Sequence, residues 1–118
     1  MKTAYRDIAA YVTRDGSSIR ELMHPAVHGN QNQSLAEAIV DPGARTALHR
    51  HRVTEEIYHV TAGAGMMTLG GRQFAVTAGD TICIVPDAPH CIENTGAVPL
   101  KILCACSPAY AHDDTELL

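Results

Sequence analysis

The sequence predicts an all-β fold, a single jelly-roll barrel, and three observations carry that prediction. From Ser34 onward, short runs rich in β-branched and apolar residues alternate with polar ones and are separated by turn residues, at the spacing of a sandwich or barrel. Leu69-Gly70-Gly71-Arg72 is a two-residue hairpin signal. At 118 residues the chain holds one hydrophobic core and no second domain. Aromatic residues are only 4% of the chain and Trp is absent, so Val, Ile, Leu, Ala and Met must fill the interior.

Taken in order, residues 1–33 form an N-terminal arm. Residues 5–13 fit a strand or a short helix, and Asp15-Gly16 marks a turn. Ser18-Ile19-Arg20-Glu21 fits a capping box, and Ile19, Leu22 and Met23 share one helical face before His24-Pro25, so a helical turn is expected there. The polar run from His28 to Gln33 reads as loop. The barrel domain spans 34–118, with strands expected over 35–40, 46–51, 56–61, 65–69, 72–76, 81–85, 90–94 and 100–106. Pro42-Gly43, Gly63, Gly79-Asp80, Pro86-Asp87 and Asn94-Thr95-Gly96 punctuate them. Eight short antiparallel strands favour a barrel whose closure reduces exposed edges.

Composition excludes several functions. The net charge is −4 with no run of Lys or Arg, so the electrostatic footprint of a nucleic-acid binder is missing. No apolar run approaches the roughly 20 residues of a spanning helix, which argues against a membrane protein. Arg6 and Asp7 interrupt the start of the chain and spoil a signal-peptide core, so a cytoplasmic location is expected. Cys83, Cys91, Cys104 and Cys106 lie in strand-like segments without a C-x-x-C pair and are expected as buried, reduced thiols. Cys104 and Cys106 would share one strand face and line an interior cavity.

The chemistry concentrates in Gly43–Gly63. His49 and His51 are two residues apart, so on a strand they project to the same face with Cα atoms roughly 6.5–7 Å apart. Two imidazoles at that separation converge on one divalent ion, and a carboxylate from the next strand supplies a third ligand. Glu55 and Glu56 both offer such a carboxylate, on opposite strand faces, and which of them turns inward depends on where the strand begins. Tyr58 shares the face of Glu56, either as a phenol lining the pocket that donates a hydrogen bond or proton, or as a core tyrosine. His59 points the other way. Arg45 and Glu37 are either pocket residues or solvated charges, Met66 and Met67 are gap fillers, and His24, His28 and His112 have no assigned role. Ala36, Ala38, Met67, Ile92, Cys104 and Cys106 are expected to shape the pocket.

These residues resemble the cupin superfamily. Gly43, His49, His51, Glu56 and Gly63 match its first motif at every defined position, and GDTICIVPDAPHCIEN, with Gly79, His90 and Asn94 in register, is similar to the second. Val85 and Asp87 stand where the family usually has Pro and Gly. The resemblance implies a small single-domain cupin with His49, His51, Glu56 and His90 as a three-His, one-Glu metal site. Nitrogen and carboxylate ligands suit Fe, Mn, Ni, Cu or Zn alike. It also implies a homodimer, with the N-terminal arm crossing to the partner.

The expected function is a metal-dependent enzyme acting on a small oxygenated metabolite, anionic or polyhydroxylated. An oxygenase comes first and an isomerase or lyase next, with Tyr58 or metal-bound hydroxide as base. The alternative is a non-catalytic cupin that binds a sugar or organic acid.

Overall fold

The alternation read from the sequence becomes two facing antiparallel sheets. The computed structural model describes residues 1–118. Its strands are β1 (Tyr11–Val12), β2 (Ser18–Met23), β3 (Ser34–Val40), β4 (His49–His51), β5 (Glu55–Ala62), β6 (Ala64–Leu69), β7 (Arg72–Thr77), β8 (Thr81–Ile84), β9 (His90–Asn94), β10 (Leu100–Ser107) and β11 (Thr115–Leu117). One sheet runs β1-β2-β3-β10-β5-β8 and the other β11-β4-β9-β6-β7. No helix is long and apolar enough to cross a membrane.

Strict period-2 burial explains the pairing. Along β10, Leu100, Ile102, Cys104 and Cys106 are buried, and along β3 Ser34, Ala36, Ala38 and Val40 are buried beside them. Val60, Met67, Ile84, Ile92, Leu100 and Ile102, each 1% exposed or less, form the centre of the core between the sheets. Each such side chain contributes roughly 1.5–3 kcal/mol by leaving water. The only phenylalanine, Phe74, lies on the outside, as a core built from aliphatic residues requires.

All eight expected strands form, most within a residue of their expected ends, and Gly70-Gly71 closes the β6–β7 hairpin with Leu69 opposite Arg72. The strand expected over 46–51 is shorter, His49–His51, while Thr46 bonds β9 through its backbone N–H to Ile92 O and its hydroxyl to Ile92 N. Gly63 turns the chain from β5 into β6 with φ +87°, and a Cβ there would lie 2.8 Å from Pro99 O. A side chain is excluded on both counts.

The helical turn expected over 18–23 is instead strand β2. It pairs with β3, Ser18 opposite Ile39 and Met23 opposite Leu35, and Ser17, Ile19 and Glu21 line the interior cavity. The apolar positions fit both periods. The free edge of β3 offered partners for five of the six residues, which outweighs a capping box over so short a helix. A single helical turn, α1 (Pro25–His28), follows it. Pro25 begins it, His24 Nδ1 accepts the Ala26 N–H at 3.0 Å, and Gly29 ends it with φ 84°. Residues 1–33 thus contribute β1 and β2 to the first sheet. Cys83 and Cys91 differ from the expectation for cysteines: Cys83 is exposed and Cys91 half-buried, because both sit on outward positions of their strands, whereas Cys104 and Cys106 are buried thiols.

Candidate metal centre

β4 is a three-residue strand whose ends both face inward: His49 is 2% and His51 4% exposed, with Arg50 between them turned outward. It is held on both sides, by β11 with Thr115 opposite His51 and by β9 with His49 directly opposite His90. That last pairing brings the two sequence motifs together. The three histidines offer nitrogens within 4.8 Å of one another.

Each ring is oriented through its Nδ1. His49 Nδ1 lies 2.7 Å from Ala47 O and His90 Nδ1 2.9 Å from Ala88 O, carbonyls that can only accept. His51 Nδ1 lies 3.0 Å from the Thr115 hydroxyl, which itself donates to Ala111 O at 3.0 Å and so accepts from the ring. All three Nδ1 atoms therefore carry the proton, and all three Nε2 lone pairs are left to face inward, the tautomer that a metal ligand needs.

Glu56 completes the set from the opposite sheet. Its Oε1 lies 3.2 Å from His51 Nε2 and 3.6 Å from His90 Nε2. Neither contact is aligned as a hydrogen bond, and Glu56 Oε1 and His90 Nε2 are both buried without a partner. Unpaired buried polar atoms are costly, and an anion facing lone pairs calls for a cation between them. Two donors bonded to one ion at about 2.1 Å are at most about 4.2 Å apart; both Glu56 contacts fall inside that limit. The donor set fits a divalent transition metal. Burial alone would raise the Glu56 carboxyl, but positive charge on its His51 and His90 side outweighs burial and holds the pKa at about 2. Burial first, and then the neighbouring His90 ring, lowers the pKa of His49.

Glu55 is exposed on the other face of β5, so the alternative carboxylate does not reach the site. Tyr58 is buried on the cavity wall with its ring 6.0 Å from that of His90. Burial first, then the neighbouring Glu56, raises its pKa well above the usual phenol value. A phenol so shifted holds its proton, as the donor's part offered by the sequence reading requires. Arg45 is exposed and bridges Glu93 through its backbone, Glu37 accepts the hydroxyl of Tyr5 outside the barrel, and His59 bonds the Thr81 hydroxyl at 2.8 Å. None of the three lines the cavity. Ala36, Ala38, Ile92, Cys104 and Cys106 line it as expected, while Met67 is packed in the core instead.

The cavity beside the histidines is narrow, with about 40 Å³ open to the centre of a water-sized molecule, and it opens to solvent. Among the lining residues that escaped sequence reading because remote segments deliver them are Asp15, Tyr11 and Tyr110. Asp15 showed only as a turn signal. Its Oδ2 lies 3.7 Å from His49 Nε2. The lining holds three carboxylates, Asp15, Glu21 and Glu56, and no Lys or Arg.

A double-sheet β-barrel with three inward histidines drawn from two adjacent strands defines a class of small metal-binding barrels. The chain belongs to the cupin family: the cupin domain model matches residues 36–106. It is 55% identical over 118 residues to an uncharacterized protein of Methanocaldococcus jannaschii, covering 100% of this chain and 94% of that one. It is 32% identical over 108 residues to protein SchB of Streptomyces halstedii, covering 87% and 78%. Among solved structures, a predicted oxalate decarboxylase from Thermotoga maritima superposes with a TM-score of 0.80 at 24% identity, covering 92% of this chain and 99% of that one. That likeness shows the fold.

Proposed function

We propose that this cupin is a metal-dependent enzyme acting on a small, uncharged, hydroxylated molecule, with oxygen-dependent oxidation the first reaction class to test and isomerisation or elimination the second. The observation that carries the metal is the group of three histidine nitrogens within 4.8 Å of one another, with the partnerless Glu56 oxygen facing two of them. His49, His51, His90 and Glu56 would hold it. A divalent ion there supplies a Lewis acid for a hydroxyl or carbonyl oxygen and lowers the pKa of bound water.

The residues around it do the rest. The cavity wall offers the Tyr58 phenol beside His90, with the Thr13, Ser17 and Ser34 hydroxyls, to bond a polar substrate. Ile19, Ile92 and Ile102 exclude water from its apolar body. Of the two substrate classes expected from the sequence, the lining favours the polyhydroxylated one. Three carboxylates without a Lys or Arg repel a small acid or phosphate.

The test begins with purified protein loaded in turn with Fe(II), Mn(II), Ni(II) and Zn(II), after chelator treatment. Metal binding is expected to raise Tm, and loss of that shift in His90→Ala locates the ion. Oxygen uptake and product formation are then followed over matched pairs of neutral diols or phenols and their carboxylate analogues. Turnover of the neutral members supports the reading. Saturable binding of them without turnover under any metal would make the protein the non-catalytic alternative, and turnover confined to the carboxylates would overturn the substrate class.

We also propose a homodimer built on the outer face of the first sheet. Met23, Leu35, Ala105, Ile57 and Cys83 align across β2, β3, β10, β5 and β8, with Leu35 39% and Ile57 40% exposed. Such a row is more apolar than a solvated sheet face. Light scattering should give twice the chain mass for the wild type and the single mass for Ile57→Lys.

A further inference from the structure

Asp15 lies outside both sequence motifs and outside the barrel's own ladders, in the turn between β1 and β2. That turn is tightly set. Thr13 N bonds Ser17 O at 3.0 Å, Gly16 N bonds Thr13 O at 3.0 Å, and Ala47 N bonds Asp15 O at 2.8 Å, tying the turn to the strand that carries His49. The carboxylate is oriented as well. Its Oδ1 accepts both the Ser17 N–H at 2.9 Å and the Ser17 hydroxyl at 2.6 Å. Oδ2 takes no hydrogen bond and lies 3.7 Å from His49 Nε2, in a side chain only 12% exposed.

His49 already spends its Nδ1 proton on Ala47 O. Its Nε2 therefore presents a lone pair to an anionic oxygen, in a site from which water is largely excluded. A cation between them turns a repulsive arrangement into an attractive one. For the His49–Asp15 pair the spacing permits this, since 3.7 Å is within the roughly 4.2 Å that separates two donors on one ion at most; the tighter group, within 4.8 Å throughout, is the three histidines alone, so a shared ion draws the Asp15 carboxylate inward. Glu56 faces His51 and His90 in the same way from the opposite sheet.

We propose that Asp15 is a fifth protein donor to the metal held by His49, His51, His90 and Glu56. The inference rests on the metal centre proposed above. It has two consequences. Two carboxylates cancel the charge of a divalent ion, so the loaded centre is electrically neutral instead of cationic, in keeping with a cavity that offers nothing to an anion. Five protein donors also leave one position of an octahedral ion open, so a substrate that binds through two oxygens must displace Asp15. The first 33 residues, which supply that turn, thereby set the access to the metal.

The experiment uses Co(II) as a spectroscopic probe in the full chain, measuring Kd by chelator competition and coordination from the visible absorption bands. Asp15→Asn keeps the oxygen that Ser17 bonds and removes the charged donor. It should weaken Co(II) binding by at least about tenfold and alter the visible bands, with apoprotein Tm and circular dichroism unchanged. A wild-type Kd and spectrum in Asp15→Asn, beside loss of binding in His90→Ala, overturns the fifth donor and leaves the metal centre standing. No Co(II) binding by the wild type overturns both. Should Asp15→Asn lose its fold, a crystal structure of the wild-type Co(II) protein decides: Asp15 Oδ2 bonded to the ion sustains the proposal, and Oδ2 more than about 3 Å away ends it.

Discussion

Cys106 sits directly across from Glu56, β10 against β5, and its thiol donates to Glu56 Oε2 at 3.4 Å. Burial, and then the carboxylate beside it, push the thiol pKa up, so it stays protonated and can donate. One carboxylate oxygen is thereby anchored while the other faces His51 and His90. Cys106→Val removes the donor at similar volume and should weaken metal binding about tenfold, whereas Cys106→Ser should retain most of it. Competition with a chromophoric chelator measures both. Equal affinity in Cys106→Val and the wild type would show that Glu56 needs no anchor.

His51 depends in the same way on the last strand. Thr115→Val keeps the shape of the side chain and removes the hydroxyl that fixes the ring's tautomer. Metal affinity should fall about 10- to 100-fold, with little change in apoprotein stability. Isothermal titration calorimetry with Zn(II) checks it.

Tyr58 is assigned a donor's part and no ligand's part. Tyr58→Phe should lower the turnover rate by about 100-fold, the lower end for a general acid, and leave the metal Kd within experimental scatter. Parallel loss of metal binding would instead make it a structural residue of the site.

Asp114 makes the apoprotein's stability depend on acid. Burial would raise its carboxyl, but the backbone N–H groups of Thr54 and Val53, bonded at 3.0 and 2.9 Å, hold the pKa below that of an ordinary aspartate. A depressed folded pKa contributes stability that is present above the unfolded value and is lost as pH falls through the folded one. Urea unfolding in the presence of chelator should show the wild type losing more stability than Asp114→Asn as pH drops from about 5 to about 3. Parallel curves would exclude this carboxylate as a cause.

Asp87 occupies the position where the family resemblance expects glycine, and it adopts φ 69°, the conformation a glycine would take most easily. Its N–H bonds His51 O at 2.7 Å, so the turn before His90 keeps its shape despite the different residue. Asp87→Gly should stabilise the protein by up to about 1 kcal/mol, less strain offset by a looser unfolded chain. A lower Tm would mean that the carboxylate has a role of its own.

His49 with His51, and Glu56 with Tyr58, were each readable as sharing a strand face because alternation along a strand is a local rule, and the inward positions of β3, β5, β9 and β10 followed from the same parity. The hairpin at Gly70-Gly71 was local too. Residues 18–23 were not readable, since Ile19, Leu22 and Met23 suit a helix as well as a strand, and only the open edge of β3 selects between them.

By itself the sequence determined the class of barrel and the inward-facing strand positions of His49, His51, Glu56 and His90. Only the tertiary structure decided that Asp15 and Thr115 flank those side chains, and that no Lys or Arg enters the cavity. Periodicity assigns a side chain to a face; the remote segment that meets that face is chosen by backbone pairing and by the shape of the assembled sheets.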